Sequence, residues 1–161
     1  MDFCIKEGCS FKVTNENDEI IGVSYNYYNK RADFFEETSN ESKLKIILDF
    51  LKYVRTKIQF FDHYHDCDAC IDVNMLSVHP RYRGLGIGRK LIEYALNFAK
   101  THKIPLCYVQ CTSYYSANIC ETLNFDKIFE MPFSEYVLNG EQPLLLDEPH
   151  THFRIFCKRC L

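Results

Sequence analysis

Glycines and arginines concentrate in one short segment of the sequence, HPRYRGLGIGRKL, which holds three of the six glycines of the chain. The glycines stand at alternate positions with arginines around them: Gly84, Gly86 and Gly88, and Arg81, Arg83 and Arg89. An apolar stretch that predicts a strand precedes the segment, and a periodic stretch that predicts a helix follows it. The first N–H groups of a helix lack partners within it and carry partial positive charge, so such an end attracts anions. Glycines let that backbone approach a phosphate closely, and arginines add charge at its rim.

Two familiar phosphate-binding motifs do not fit this segment. A Walker loop requires Gly-Lys followed by Ser or Thr, which is absent, and the dinucleotide fingerprint G-x-G-x-x-G places its third glycine one residue later. A glycine-rich turn without a ligand is a further alternative. The regular spacing and the flanking arginines favour an anion site over a mere turn.

The segment VHPRYRGLGIGRKLI resembles the acetyl-CoA-binding motif of the GNAT acetyltransferase superfamily, Q/R-x-x-G-x-G/A, which often follows V-x-P. Arg83, Gly86 and Gly88 match this pattern, and Val78 and Pro80 match its prefix. The resemblance implies acetyl-CoA as co-substrate, no metal, and a pantetheine arm along the preceding strand. The implied cofactor-binding residues are Leu76, Ser77, Val78, Arg83, Gly84, Leu85, Gly86, Ile87, Gly88, Arg89 and Ser116.

Further along the chain, VQCTSYYSANICETLNFDKIFEMPFSEY resembles the corresponding region of insect-type arylalkylamine N-acetyltransferases. The resemblance implies proton-handling roles for two hydroxyl residues four apart, Thr112 and Ser116, with Ser116 near the cofactor sulfur. Cys120 stands where many superfamily members have a proton-donating tyrosine. As an alternative, Thr112 and Ser116 simply cap the helix that follows, because Ser and Thr are preferred there.

The catalytic base has no match in this sequence. In the family, a glutamate in the N-terminal portion, within the first strand and early helices, acts as the base. The chain opens at CSFKV, which aligns with the strand that follows those elements. The resemblance thus implies a domain, residues 1–161, that lacks the first strand, the early helices and the glutamate, and whose turnover is weak. His63 and His65 are candidates for a substitute base, because histidine is the usual proton acceptor near neutral pH, although a solvated loop is the preferred interpretation.

Metal ligands of the right types occur in DHYHDCDAC and in two C-x-x-C pairs, Cys67/Cys70 and Cys157/Cys160. A zinc site needs both pairs to face one ion. The second pair lies in a predicted strand, where residues three apart point to opposite faces. This pattern disfavours a structural zinc site.

The elements that position these residues follow from hydrophobic periodicity and turn residues. Strands are predicted at FKVT, IIGVSYNYY, ACIDVNMLSV, LCYVQC, FDKIFEM and HFRIFCKRC, and helices from Ser42 to Ile58, from Ile87 to Lys100, and in SYYSANICETLNF, ending at Asn124. The first helix should bury one face, formed by Leu44, Ile47, Leu48, Leu51, Val54 and Ile58. These elements predict an α/β (α+β) fold: a GNAT-like mixed, centrally splayed sheet with helices on both faces.

One predicted strand carries a change of phase. In ACIDVNMLSV, Ile71, Val73 and Met75 alternate at odd positions, and then Leu76 and Val78 continue at even positions. An inserted residue, a β-bulge, produces such a change, and bulges often lie beside active sites. Backbone N–H groups at this bulge are candidates for an oxyanion hole.

Length and composition restrict the function classes. A chain of 161 residues with net charge −3 fits one domain and carries no electrostatic footprint for nucleic acid. It contains no apolar stretch of about 20 residues that would span a membrane. We expect a cytoplasmic monomer or weak homodimer whose nine cysteines are reduced.

The function that the resemblance implies is acetyl transfer from acetyl-CoA to the primary amine of a small arylalkylamine, of the dopamine, serotonin, tryptamine or octopamine type, by direct attack in a ternary complex. Two alternatives remain open. One is acetylation of a polyamine or a protein amine, which acidic residues in the acceptor cleft would favour. The other is a truncated, weak or inactive acyl-CoA-binding protein.

Overall fold

The computed structural model describes residues 8–32, 45–144 and 146–161. Within them the chain forms one six-stranded sheet of order β1-β2-β3-β4-β6-β5. The strands are β1 (Phe11–Thr14), β2 (Ile20–Lys30), β3 (Ala69–Val78), β4 (Leu106–Cys111), β5 (Asp126–Pro132) and β6 (His152–Arg159). The α-helices are α1 (Lys45–Lys57), α2 (Ile87–Thr101) and α3 (Tyr114–Thr122). The predicted fold class is confirmed.

The predicted elements agree with these bounds to within two residues, apart from residues 42–44 of the first helix, which lie outside the described residues. The stop after α3 is also as predicted, because Asn124 has a φ of 55°, in the left-handed region. Asparagine tolerates this conformation better than most residues, so the chain can turn directly into β5.

The predicted buried face of α1 is partly wrong. Ile47 is 46% exposed, whereas Phe50, outside that face, is 2% exposed. The ring of Phe50 packs against Phe133, Tyr136 and Phe153 with centroid distances of 5.1–5.5 Å. These aromatic contacts determine the rotation of the helix, because a buried ring gains more from burial than a smaller aliphatic side chain does.

The sheet splits between its two central strands. Strands β3 and β4 are parallel and pair only from Cys70 with Leu106 to Val73 with Val109, whereas β4 continues to pair with β6 as far as Cys111. The remaining strand pairs are antiparallel. Beyond Val73 and Val109 the two central strands diverge, which confirms the predicted splay.

The bulge lies on β3, as the change of phase predicts. Tyr25 pairs with Met75 and the next residue, Asn26, pairs with Val73, so Asn74 is the extra residue. A bulged strand bends and twists away from its neighbour. The bulge and the divergence from β4 therefore occur at the same level of the sheet.

A hydrophobic core covers each face of the sheet. The core under α1 is largely aromatic and includes Phe50, Phe60, Phe61, Tyr108 and Phe153. The core under α2 and α3 is built from smaller side chains, including Ile71, Val73, Ile92, Ala95 and Cys111. The eight cysteines among the described residues are buried thiols. Cys157 belongs to the first core and Cys160 to the second, so this C-x-x-C pair does face opposite sides.

A buried polar network fixes the strand opposite the bulge. Asn26 is completely buried; its side chain donates to the Cys9 carbonyl at 2.7 Å and accepts from the Ser24 hydroxyl at 2.6 Å. Its backbone N–H donates to the Ser10 hydroxyl at 3.1 Å. Buried polar groups are costly without partners, so these bonds specify the register at which Asn26 meets Val73.

We expect Asn26→Ala to lower the free energy of unfolding by about 2–3 kcal/mol, because it leaves the Cys9 carbonyl and the Ser24 hydroxyl buried without this partner. Urea denaturation measures the change. Asn97→Ala, at an exposed position of α2, is the matched control and should change stability by less than about 0.5 kcal/mol. Equal effects of the two substitutions would contradict this assignment.

Candidate active site

The glycine loop joins β3 to α2 in a conformation that requires glycine at two positions. A 3-10 turn over Pro80–Tyr82, capped by the His79 side chain, leads into it. Gly84 and Gly86 have φ values of 80° and 78°, and a Cβ at either position would meet no atom within 4 Å. The requirement is therefore the left-handed backbone rather than a lack of space.

This loop presents backbone donors to solvent. Among the described residues, none accepts a hydrogen bond from the N–H groups of residues 84–89, and the first bond of α2 is from the Lys90 N–H to the Gly86 carbonyl at 3.0 Å. Gly84, Leu85 and Gly86 are exposed. Exposed N–H groups at a helix N-terminus are a binding site for anionic oxygen atoms.

Arginine and lysine side chains surround the loop, and they differ in whether a carboxylate pairs with them. Arg83 is exposed, and its Nε donates to the Val78 carbonyl at 3.3 Å, which holds the side chain against the end of β3. Arg89 pairs with Glu93 at 3.0 Å, and Lys90 lies 3.8 Å from the same carboxylate. The net positive charge near the loop therefore comes mainly from Arg81 and Arg83, since Glu93 offsets part of the rest.

The third glycine permits close packing. A Cβ at Gly88 would lie 3.2 Å from Ile119 Cδ1 on α3 and 3.6 Å from a Leu76 methyl on β3. Gly22 on β2 has the same role, because its Cβ would lie only 2.7 Å from Ile87 Cγ2. Together these glycines let the start of α2 lie directly against β2, the end of β3 and α3.

A cleft of about 160 Å³ occupies the split between β3 and β4. Its walls are the bulged part of β3, the end of β4 and the start of α3. The lining residues are Val73, Asn74, Met75, Leu76, Val109, Gln110, Thr112, Ser113 and Ser116. Thr112 and Ser116, predicted from the resemblance to act on protons, thus lie in one cleft together with Leu76.

Ser113, and not Thr112 or Ser116, caps α3. The Ser113 hydroxyl accepts from the Ser116 N–H at 3.1 Å, which is the usual capping bond. The Ser116 hydroxyl donates to the Ser113 carbonyl and lies 3.0 Å from the Ser113 hydroxyl. The capping alternative for Thr112 and Ser116 is therefore wrong. Both residues line the cleft, and the Ser116 hydroxyl is held there by the Ser113 carbonyl.

The other candidate residues lie elsewhere. Cys120 is fully buried beneath α3 and does not line the cleft. His63 and His65 are exposed before β3 begins, whereas the cleft lies at the other end of that strand. Across the described residues, no group of three or more His, Cys, Asp or Glu side chains is arranged to hold a metal ion.

The sequence analysis missed several residues that shape the site. An isolated glycine inside a strand marks a close approach, so Gly22 was detectable from the sequence. Gln110, which lines the cleft, carried no signal. Neither did His150, whose Nδ1 accepts from the Tyr114 N–H at 3.2 Å and whose ring packs on Tyr115 at 5.4 Å. His150 attaches the segment before β6 to the N-terminus of α3.

The comparisons with known proteins agree with this architecture. The family model of the acetyltransferase (GNAT) domain matches residues 50–125. Arylalkylamine N-acetyltransferase 2 from Aedes aegypti superposes with a TM-score of 0.86 at 26% identity, over 98% of this chain and 76% of that chain. A mosquito arylalkylamine N-acetyltransferase-like protein, 5b, gives 0.83 at 21% identity over 96% and 76%.

A polyamine N-acetyltransferase of Drosophila melanogaster that forms N-acetylagmatine gives a TM-score of 0.81 at 22% identity, over 97% of this chain and 77% of that chain. The chain therefore has the fold of the GNAT acetyltransferases, and its residues 50–125 match the model of their domain. GNAT acetyltransferases use acetyl-CoA as co-substrate. No helix in the described ranges has the length and apolarity needed to cross a membrane.

We expect Gly86→Ala to weaken acetyl-CoA binding at least about tenfold, because a left-handed alanine costs about 1–2 kcal/mol and the loop rearranges to relieve the strain. Isothermal titration calorimetry with acetyl-CoA measures the effect. Gly140→Ala is the matched control, since Gly140 also has a positive φ, of 83°, with open space around it. A similar loss of affinity in both variants would show that the backbone strain acts through stability alone.

Proposed function

We propose that this chain is an acetyl-CoA-dependent N-acetyltransferase that acts on the primary amine of a small arylalkylamine. The observation that carries the proposal is the continuity of the site: the exposed N–H groups of the glycine loop lead along the free edge of β3 into a cleft that ends at Ser116. Acetyl-CoA has a pyrophosphate, an extended arm and a thioester in the same order as the loop, the strand edge and the cleft.

Binding of acetyl-CoA follows from the chemistry of each part. The backbone of Arg83 to Arg89 would hold the pyrophosphate, with Arg83 at its rim. Beyond Val73, no strand among the described residues pairs with β3 on the β4 side, so the backbone groups of this edge would pair with the amide groups of the pantetheine arm. Leu76, Ser77 and Val78 belong to this edge.

The chemistry of acetyl transfer requires a polarised carbonyl and a proton for the departing sulfur. Backbone N–H groups at the Asn74 bulge would stabilise negative charge on the carbonyl oxygen. Ser116, on the wall of the cleft, would donate a proton to the sulfur, and Thr112 provides a second hydroxyl at the same end. A thiol has an ordinary pKa of about 8.5, so its anion leaves readily once such a donor is present.

The buried thiols support direct attack by the amine. None of the described cysteines lines the cleft. Burial also raises the pKa of Cys70, Cys107 and Cys157, to about 12 for Cys157, which suppresses the nucleophilic thiolate of these three residues. A covalent acetyl-cysteine step is therefore not part of the proposal.

The lining of the cleft favours an arylalkylamine over a polyamine. The described residues that form its walls are neutral: aliphatic, thioether, amide and hydroxyl side chains. A polyamine carries several positive charges and would require carboxylates near the cleft. The similarity to the Aedes arylalkylamine enzyme, at 26% identity, points in the same direction.

We expect acetyl-CoA to bind to the wild-type chain, and dopamine or tryptamine to release CoA from the complex faster than agmatine does. Calorimetry measures the binding, and a thiol assay follows the release. If agmatine releases CoA faster than the arylalkylamines do, the acceptor is a polyamine rather than an arylalkylamine. Binding without release by any amine would identify an inactive acyl-CoA-binding protein, and absence of binding would overturn the proposal.

We expect Ser116→Ala to lower kcat about 100-fold, the usual range for loss of a proton donor, while the Kd for acetyl-CoA changes less than about threefold. Ser134→Ala, at an exposed position of the 3-10 turn Phe133–Glu135, is the control and should leave both quantities unchanged. Steady-state kinetics together with calorimetry separate the two effects. An unchanged kcat in Ser116→Ala would exclude this hydroxyl as the donor.

A further inference from the structure

Two cysteines meet where α3 packs on the end of β4. Cys111 is the last residue of β4, and its Sγ lies 3.8 Å from the Sγ of Cys120 on α3. Both residues are 0% exposed and belong to the core under α2 and α3. Neither of them lines the cleft, so the proposed acetyl transfer uses neither thiol. The pair is therefore a reactive group that the proposed function does not explain.

The two sulfur atoms are close enough to form a covalent bond after a small movement. Sulfur atoms in a disulfide lie about 2.05 Å apart, so these two must approach each other by a further distance of about 1.8 Å. The end of β4 is held by its pairing with β6, which continues as far as Cys111. In contrast, α3 is a helix of nine residues whose displacement breaks no strand pairing. We expect α3 to make most of the movement.

The cleft gives a small oxidant a route towards this pair. Gln110 and Thr112, on either side of Cys111 in the chain, line the cleft, and so does Ser116, about one helical turn before Cys120. Hydrogen peroxide is only slightly larger than water, and the cleft of about 160 Å³ has room for it. Because both thiols are fully buried, their oxidation requires a transient opening between α3 and β4.

We propose that Cys111 and Cys120 are a site of reversible oxidation, at which a peroxide forms a disulfide that displaces α3 and lowers the activity of the cleft. One thiol loses its proton and its sulfur attacks the O–O bond of the peroxide, which yields a sulfenic acid and one water. The second thiol displaces the hydroxyl of the sulfenic acid as a second water, and the S–S bond forms. Two thiols are thus oxidised while one peroxide is reduced to two waters. A dithiol reductant reverses the change by thiol–disulfide exchange.

The effect on catalysis follows from the position of Ser116, and this part of the inference rests on the proposed acetyl transfer. Ser116 lies on the same helix as Cys120, whereas Thr112 directly follows Cys111. A disulfide that draws α3 towards β4 therefore changes the positions of the two cleft hydroxyls relative to each other. A misplacement of about 1 Å in a reacting group can cost about 100-fold in rate. We expect the oxidised protein to have a kcat at least about tenfold lower than the reduced protein.

The experiment treats the wild type, Cys120→Ser and Cys107→Ser with hydrogen peroxide and measures both the mass and the kcat before and after treatment. Cys107→Ser is the matched control, because Cys107 is a fully buried cysteine of β4 in the same core. The wild type and Cys107→Ser should each lose two hydrogens, about 2 Da, and at least about nine tenths of kcat, and dithiothreitol should restore both. Chymotryptic cleavage after Tyr115 should leave the two cysteine peptides joined. Cys120→Ser should form no such bond and should keep its kcat.

The two measurements separate this inference from the proposed function. Absence of a Cys111–Cys120 bond in the treated wild type, or a bond that leaves kcat unchanged, would overturn the inference, and so would an equal loss of kcat in Cys120→Ser. If the reduced wild type acetylates no amine, the proposed function fails, and the mass measurement still decides whether the disulfide forms. Should Cys120→Ser unfold, the wild type decides alone: recovery of the mass without recovery of kcat in dithiothreitol would overturn the link between this bond and activity.

Discussion

The site depends on the point at which β3 stops pairing with β4. Parallel strands in the middle of a sheet normally satisfy each other's backbone groups along their whole length. Here one extra residue, Asn74, ends the pairing after Val73, and the fully buried amide of Asn26 fixes the register on the other side of β3. The cost of leaving Asn26 without partners keeps the bulge in place. The split is thus a consequence of hydrogen bonding in β2 as much as of β3 itself.

The split places different chemical groups on the two sides of the cleft. On one side, α2 begins directly after the glycine loop, and Gly22 and Gly88 let it lie close to β3, so N–H groups and positive charge meet a free strand edge. On the other side, the end of β4 and the start of α3 supply hydroxyls. Ser113 uses its side chain to cap α3, and this releases Ser116 from the capping role. The exposed N–H groups of the loop and the hydroxyls of the cleft therefore come from two separate helix N-termini.

The sequence predicted those features that depend on local chemistry. Alternate glycines between a strand and a helix indicated the loop, and the change of phase in ACIDVNMLSV indicated the bulge, because both follow from backbone geometry. The rotation of α1 was not predictable, since it depends on Phe133, Tyr136 and Phe153, which are distant in sequence. The contact between Cys111 and Cys120 likewise requires knowing how α3 packs on β4. The cap at Ser113 lay among three hydroxyl residues within five positions, and spacing alone did not separate them.

The strand order also determines when the sheet can form during synthesis. β6 lies between β4 and β5 in the sheet, although it follows both in the chain. Until the ribosome has delivered residues 152–159, β4 has an open edge and β5 has no strand beside it. At about 5–20 residues per second, the aromatic core under α1 waits seconds for Phe153 and Ile155. Exposed strand edges pair with other chains, so this interval is the period in which the nascent protein most needs protection from aggregation.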